Sequence, residues 1–348
     1  MDAEYQTERA VDESIGIDKK VAFLRQPAAY PYPVKELKVK ETHMSWVFLA
    51  GDFVYKLKKP VSYSYFDHGT LASRLHNSRE EIRINQTLGK DIYVGIVPLV
   101  ININGALQLE GKGKVIDWLV KMKRIREDQM LDYAIAHHAV DKQVLQDTIA
   151  VLIEFYKNAL VQPMPTTAFI KKLEAEISFN NEHLLNPLFE MPGTLVRKLI
   201  AGQLGLLSSN YALFDKRVSE KRIVDAHGDL RPEHICLWPD PLIIDRLEFS
   251  KELRIMDITE ELSFLSVECE LMGNEFVGRL FIDAYRRSCD DDIPRSLILF
   301  YKVKRACLRA FLVARHVEEK QYKADPQWQV KALAYIQKAV KYHAELAS

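Results

Sequence analysis

The chain has 348 residues, of which 48% are apolar, and its 48 lysines and arginines balance 48 aspartates and glutamates at a pI near 7.2. That length suits two lobes around a cleft, and the apolar fraction is ample for a packed core, which excludes disorder throughout. Balanced charge gives no global argument for a nucleic acid or an anionic membrane as partner, and no apolar run approaches the length of a bilayer span.

The start, Met1-Asp2-Ala3-Glu4-Tyr5-Gln6, is polar and acidic and lacks the apolar stretch of a secretory signal. The four cysteines, Cys236, Cys269, Cys289 and Cys307, show no C-x-x-C spacing, so they read as reduced thiols of a cytoplasmic protein rather than zinc ligands.

Residues 1–14 read as a loose polar tail. A short helix over 17–26 carries Val21, Phe23 and Leu24 and is stopped by the prolines of 27–33. Strand-like runs follow at 36–40, 46–49 and 53–58, the last two joined across Ala50-Gly51-Asp52, a hairpin signal. The spacing of Leu71, Leu75, Ile82 and Leu88 predicts a helix over 70–88 that ends at Gly89. Two more strands are predicted at 96–102 and 114–123, with Gly111 and Gly113 turning between a short run at 106–110 and the latter.

Beyond about residue 127 the pattern is helical, over 128–139, 142–160, 168–185, 194–214, 257–271, 275–288, 293–317 and 328–346. Short apolar runs at 235–237 and 242–245 interrupt it as strands. This gives an α+β chain: a tail over 1–14, a lobe over 15–123 with five antiparallel strands and one main helix, and a helical lobe over 124–348.

The chemistry concentrates in His227-Gly228-Asp229-Leu230-Arg231-Pro232-Glu233-His234 and, after it, Leu242-Ile243-Ile244-Asp245. An aspartate on a tight loop is followed 16 residues later by a second at the end of an apolar run. Phosphoryl transfer from ATP requires such a pair: one carboxylate orients the attacking hydroxyl and the other holds the magnesium that bridges the phosphates. Neither G-x-G-x-x-G nor G-x-x-x-x-G-K-[ST] occurs anywhere.

This stretch resembles the catalytic loop and metal-binding aspartate of protein kinases and of the aminoglycoside phosphotransferase family. Glu41-Thr42-His43-Met44-Ser45-Trp46-Val47-Phe48-Leu49, Tyr55-Lys56-Leu57-Lys58-Lys59-Pro60 and His227-Gly228-Asp229-Leu230 are similar to a bacterial group of aminoglycoside phosphotransferase-like proteins. Some members of that group carry a further P-loop ATPase domain, which this chain is expected to lack. The resemblance spans roughly residues 20–320 and implies a bilobal protein-kinase-like fold and use of ATP with Mg²⁺.

On that resemblance Asp229 is the catalytic base and His227 braces its loop. Arg231 stands where kinases place a lysine that contacts the transferring phosphate, and Asp245 is the metal ligand. Lys56 holds the α- and β-phosphates, with Glu81 as its ion-pair partner. Lys58 competes with Lys56 from the same strand face, and Glu80 competes with Glu81. Ser45 lies in the loop that replaces the glycine-rich one, and Met122, within Val120-Lys121-Met122-Lys123-Arg124, marks the hinge that meets adenine.

His234 departs from the pattern, because kinases place a metal-binding asparagine there. Imidazole is a poorer partner for Mg²⁺ and a better one for Mn²⁺. Three outcomes stay open: one magnesium on Asp245 with Glu248 assisting, a preference for manganese, or a nucleotide-binding pseudokinase that acts through partner proteins. Among weaker features, Asp257, Glu260 and Glu261 suit a helix N-terminus, with Asp257 also able to brace the catalytic loop. Lys302, Arg305 and Arg309 form one helical face, read as ion-paired or as a receiver of an anionic substrate. Only 12 residues separate Asp245 from the helix at Asp257, which leaves no recognisable activation loop and favours a small hydroxylated metabolite as acceptor.

Overall fold

A computed structural model describes residues 15–63, 66–318 and 325–347; the tail expected over 1–14 lies outside the described residues. The chain divides into two compact units. One contains the described residues up to Glu127 together with Leu242–Lys251, and the other contains Asp128–Pro241 and the described residues from Glu252 onward.

The first unit is built on six antiparallel strands: β1 (Leu37–Glu41), β2 (Ser45–Ala50), β3 (Phe53–Lys58), β4 (Tyr93–Ile101), β5 (Leu107–Leu109) and β6 (Lys114–Lys123), in the order β1-β2-β3-β6-β4-β5. The count is six rather than five because the short run near 106–110 pairs along the edge of β4, where Leu109 joins the core. A separate two-residue ladder joins Ser62–Tyr63 to Phe66–Asp67.

β2 and β3 are joined by a two-residue turn, with Ala50 opposite Phe53 and Gly51 at φ +58°, the left-handed backbone that glycine adopts without strain. Alternation along β3 then separates its side chains. Tyr55 and Leu57 enter the core with Leu24, Tyr30, Phe48 and Leu119, while Lys56 and Lys58 project from the other face. Helix α1 (Ile17–Leu24) packs its Val21 and Leu24 into that core. Helix α2 (Leu71–Asn85) opens on a capping box between Thr70 and Ser73. Buried Asp117 of β6 ties both helices to the sheet, accepting from Lys20 at 2.7 Å and from the Arg74 guanidinium at 2.8 and 3.1 Å.

The segment 242–251 returns to this unit along the end of α2. Gly89 permits the approach, since a Cβ there would stand 3.2 Å from the Ile243 carbonyl oxygen and 3.3 Å from that of Asn85. The Ile243 N–H donates to the Leu88 carbonyl at 3.2 Å. Buried Asn85 accepts from the Arg246 N–H at 2.7 Å and donates to the Arg246 carbonyl at 3.2 Å, clamping both backbone groups of one residue.

The second unit is helical: α3 (Leu131–Ala136), α4 (Lys142–Asn158), α5 (Thr166–Leu184), α6 (Gly193–Ser209), α7 (Tyr211–Ser219), then a strand pair β7 (Ile223–Asp225) and β8 (Ile255–Asp257), then α8 (Ile258–Leu271), α9 (Glu275–Ser288), α10 (Arg295–Ala314) and α11 (Gln327–Ala347). The single helix expected over 194–214 is two. Asn210 leaves the helical region at φ −127° and its amide caps the Leu206 carbonyl at 3.0 Å, a side-chain bond that competes with helix continuation. The ladder of β7 with β8 was not expected from sequence.

Helix α8 is buried on all sides from Ile258 to Glu270, which makes it the axis of this unit. Its buried carboxylates are all engaged. Asp257 caps the helix through the Thr259 N–H and pairs with fully buried Arg217, which also holds Asp291. Glu260 meets Lys304 and Arg305 at 2.5 and 2.7 Å; Glu268 meets Arg309 at 3.3 Å and Tyr335; Glu270 meets Lys302 at 2.5 Å and Tyr342. The basic face of α10 is therefore ion-paired with α8. Among the described residues no helix is long and apolar enough to cross a membrane.

Candidate active site

Both lysines of β3 are ion-paired. Lys56 Nζ lies 3.0 Å from Glu81 Oε1 and 2.9 Å from Asp245 Oδ1, and Lys58 Nζ lies 2.6 Å from Glu81 Oε2 and 2.5 Å from Glu248 Oε1. Glu81, fully buried on the inner face of α2, thus gives one oxygen to each lysine, whereas Glu80 one position earlier faces outward and pairs with Arg83 at 2.7 Å. The two-residue period of the strand is what sets both ammonium groups on one face.

Burial opposes the charged form of Lys56, but the carboxylates of Asp245, Glu81 and Glu248 outweigh it and hold its ammonium well above the ordinary lysine range. Burial opposes the charge of Lys58 as well, and Glu248 and Glu81 reverse that balance. Desolvation likewise works against the Glu248 carboxylate, and Lys58 and Lys56 nonetheless hold it below its usual value.

Asp245 occupies a left-handed backbone position, φ +61°, an unusual conformation that aspartate tolerates better than most side chains. The conformation is fixed by its neighbours: its N–H donates to the Tyr93 hydroxyl at 3.2 Å, and Asn85 clamps the next residue. Its side chain is 44% exposed, against 8% for Glu248, so Asp245 is the carboxylate of this cluster that solvent-borne ligands reach. Hard oxygen donors of this kind fit Mg²⁺, which binds through one or two carboxylates and takes its other ligands from phosphates and water. Among the described residues no group of three or more His, Cys, Asp and Glu is placed to hold a metal by itself.

Ser45 opens β2 directly opposite Lys58, on the lysine face of the sheet, and is buried; its N–H donates to Thr42 Oγ1 at 3.0 Å. Met122 is half-buried near the end of β6, in register with Val54 and Tyr93.

In the helical unit the loop after β7 carries Asp229. Gly228 turns it at φ +91°, and two successive amides are caught by one buried carboxylate: Glu261 accepts from the His227 N–H at 3.1 Å and from the Gly228 N–H at 2.6 Å. Tyr156 of α4 donates to the same carboxylate at 2.7 Å. Burial raises the Glu261 pKa even so. Glu261, one helical turn beyond Asp257, thus braces the loop, whereas the Asp257 carboxylate belongs to Arg217.

Arg231 forks onto Asp229 Oδ2 at 3.1 and 3.0 Å and reaches Glu233 at 2.5 Å. Burial works against the Asp229 charge, but Arg231 first, then His234, Arg309 and His227, lower its pKa to about 2. The carboxylate is thus ionised throughout the physiological range and held ready to accept a hydrogen bond.

His234, expected among the metal ligands, has both ring nitrogens engaged. Nδ1 donates to the Asp229 carbonyl at 2.8 Å, and Nε2 accepts from the Arg231 guanidinium at 3.2 Å. In this arrangement it braces the loop instead of presenting a lone pair to a cation. His227 accepts the Asp229 N–H on Nδ1 at 3.3 Å.

No protein-family model matches the chain. Curated relatives from Mycobacterium tuberculosis and Mycobacterium bovis, both uncharacterised proteins, are 28% identical over 279 residues, which is 79% of this chain and 54% of theirs. The chain therefore spans about half the length of the curated relatives it matches. A choline/ethanolamine kinase family protein from Mesorhizobium loti superposes with a TM-score of 0.55 at 15% identity, covering 93% of this chain and 94% of that one. A choline kinase from Cryptosporidium parvum gives 0.51 at 10% identity (95% and 96%), and an AMP-bound spectinomycin phosphotransferase gives 0.50 at 12% (94% and 98%). The chain has the bilobal protein-kinase-like fold that these choline kinase-like and aminoglycoside phosphotransferase-like proteins share.

Proposed function

We propose that the chain is an ATP-dependent phosphotransferase that moves the γ-phosphate to a hydroxyl of a small-molecule acceptor. The observation that carries this reading is the partly buried Lys56, paired at once with Glu81 and with the exposed carboxylate of Asp245. An ammonium so placed can bind phosphate oxygens while Asp245 faces the metal that bridges them. Lys56 then fixes the α- and β-phosphates, Glu81 fixes Lys56, Ser45 and its loop approach the phosphates from β2, and the backbone near Met122 meets the adenine edge.

A Mg²⁺ ion on Asp245, when bound, supplies charge neutralisation to the phosphates. Asp229 accepts the hydrogen bond of the acceptor hydroxyl, orients its oxygen, and takes the proton late, as a carboxylate of such low pKa must. Arg231 leaves one carboxylate oxygen of Asp229 to the acceptor and presents a planar donor set to developing phosphate charge.

Chains of this fold act on varied hydroxyl compounds, so the acceptor itself is sought by screening hydroxylated metabolites. The first test is calorimetric titration of ATP with Mg²⁺, with Mn²⁺ and with neither. Metal-dependent binding is expected; no binding under any condition sinks the nucleotide reading.

One observation favours a second reading. With His234 committed to Asp229 and Arg231, the helical unit offers no side chain at the usual asparagine position for a cation. A pseudokinase that binds nucleotide and acts through partner proteins predicts ATP affinity indifferent to metal, in the same titration.

A further inference from the structure

We propose that the Lys58 ammonium takes the place of a second cation, so that the chain binds its nucleotide with a single divalent ion, on Asp245. This rests on the phosphotransferase reading and concerns how many metal ions that site uses.

Lys58 is fully buried between two carboxylates that arrive from different segments, Glu81 on α2 and Glu248 on the returning segment 242–251, at 2.6 and 2.5 Å. Both contacts are charge-assisted hydrogen bonds from the ammonium to a carboxylate. A buried ammonium is costly unless paired, and here the pairing is twofold. Glu248 stands three residues after Asp245, where a carboxylate could join it on a metal. It is instead turned inward, 8% exposed, with Oε1 on Lys58.

The cluster as a whole holds two ammonium groups and three carboxylates, and the sign alternates along Asp245, Lys56, Glu81, Lys58 and Glu248. The most exposed carboxylate among them is Asp245. A divalent ion added to bound triphosphate meets that one protein carboxylate. A second ion would have to displace Lys58 from Glu248 and leave its ammonium buried with half its compensation. His234, at the usual asparagine position, supplies no substitute, since both its ring nitrogens are engaged.

The test counts Mn²⁺ by electron paramagnetic resonance on the full chain with a saturating non-hydrolysable ATP analogue. One Mn²⁺ per chain is expected, and Glu248→Gln keeps the count at one, because the amide oxygen still accepts from Lys58. Lys58→Met frees Glu248 and raises the count to two, and adding Glu248→Gln to it restores one.

Two ions on the unaltered chain, or loss of the ion in Glu248→Gln alone, overturn the proposal while leaving the phosphotransferase reading intact. A folded Lys58→Met that still holds one ion overturns it as well. If Lys58→Met does not fold, the counts on the unaltered chain and on Glu248→Gln decide. Retention of neither nucleotide analogue nor Mn²⁺ overturns the phosphotransferase reading and this proposal with it.

Discussion

The two units prepare their charged groups by opposite means. In the sheet unit three of the five clustered charges sit on regular elements: β3 sets Lys56 and Lys58 by its two-residue period, and α2 sets Glu81 by the face it buries, while Asp245 and Glu248 come from the irregular segment 242–251. In the helical unit the chemistry sits on an irregular loop whose shape is imposed from outside, by Glu261 gripping the His227 and Gly228 amides and by His234 gripping the Asp229 carbonyl. Regular elements carry their own geometry, whereas a loop borrows it. The first kind of site depends on charge balance inside the cluster, and the second on buried hydrogen bonds to its backbone.

Substitutions test that contrast. The largest effect is expected from Asp229→Ala, which should lower kcat on the order of 10²–10⁴-fold while leaving nucleotide affinity near its original value. Equal loss of both, measured by turnover and calorimetry, would make Asp229 structural. Glu81→Gln should come next, weakening ATP affinity and kcat together by roughly 10²-fold through loss of the carboxylate shared by two lysines. An unchanged binding isotherm would remove Glu81 from the site.

Tyr156→Phe probes the borrowed geometry. It leaves the buried Glu261 without its hydroxyl donor and should cost about 1.5–3 kcal/mol in urea unfolding, with kcat falling more than ATP affinity. A drop in ATP affinity without a drop in kcat would break the distinction between the units.

The smallest effect concerns pH. Asp229 titrates at about 2 in the folded chain against an ordinary 3.8. A depressed acid stabilises the fold above its unfolded value and loses that contribution as pH falls through the folded one. Arg231→Met should therefore cost about 1–2 kcal/mol at pH 7, and the gap from the unaltered chain should close between pH 4 and 2. A gap independent of pH would mean that the loss is one of packing.

What could be read from the sequence follows the same division. The lysine face, α2 and its glutamate, and the hairpin at Gly51 were legible because period and turn chemistry are local. Sequence alone left Lys56 and Lys58 as rivals, since it shows that they share a face but not that one glutamate has two oxygens to divide between them. The clamp by Asn85, the support of Asp245 by Tyr93, and the grip of Glu261 on the loop join residues far apart in the chain, and no local pattern marks them. Glu261 did carry a faint signal, as one of two adjacent glutamates in the first turn of a helix, a helix that proves to be buried on every side. The split at Asn210 was missed because apolar residues continue across it and the break is made by one amide.

The sheet unit is also discontinuous in the chain, and that has a bearing on its synthesis. Its last segment, 242–251, follows 114 residues that belong to the other unit. At translation rates of about 5–20 residues per second, roughly 6–23 s pass between emergence of the main sheet and arrival of Asp245 and Glu248. During that interval Lys58 has half its final compensation, so the sheet emerges with the proposed nucleotide site incomplete until the later segment arrives. On the proposed reading, ATP affinity should thus appear late on the ribosome, as a mark that about half of the helical sequence has already been made.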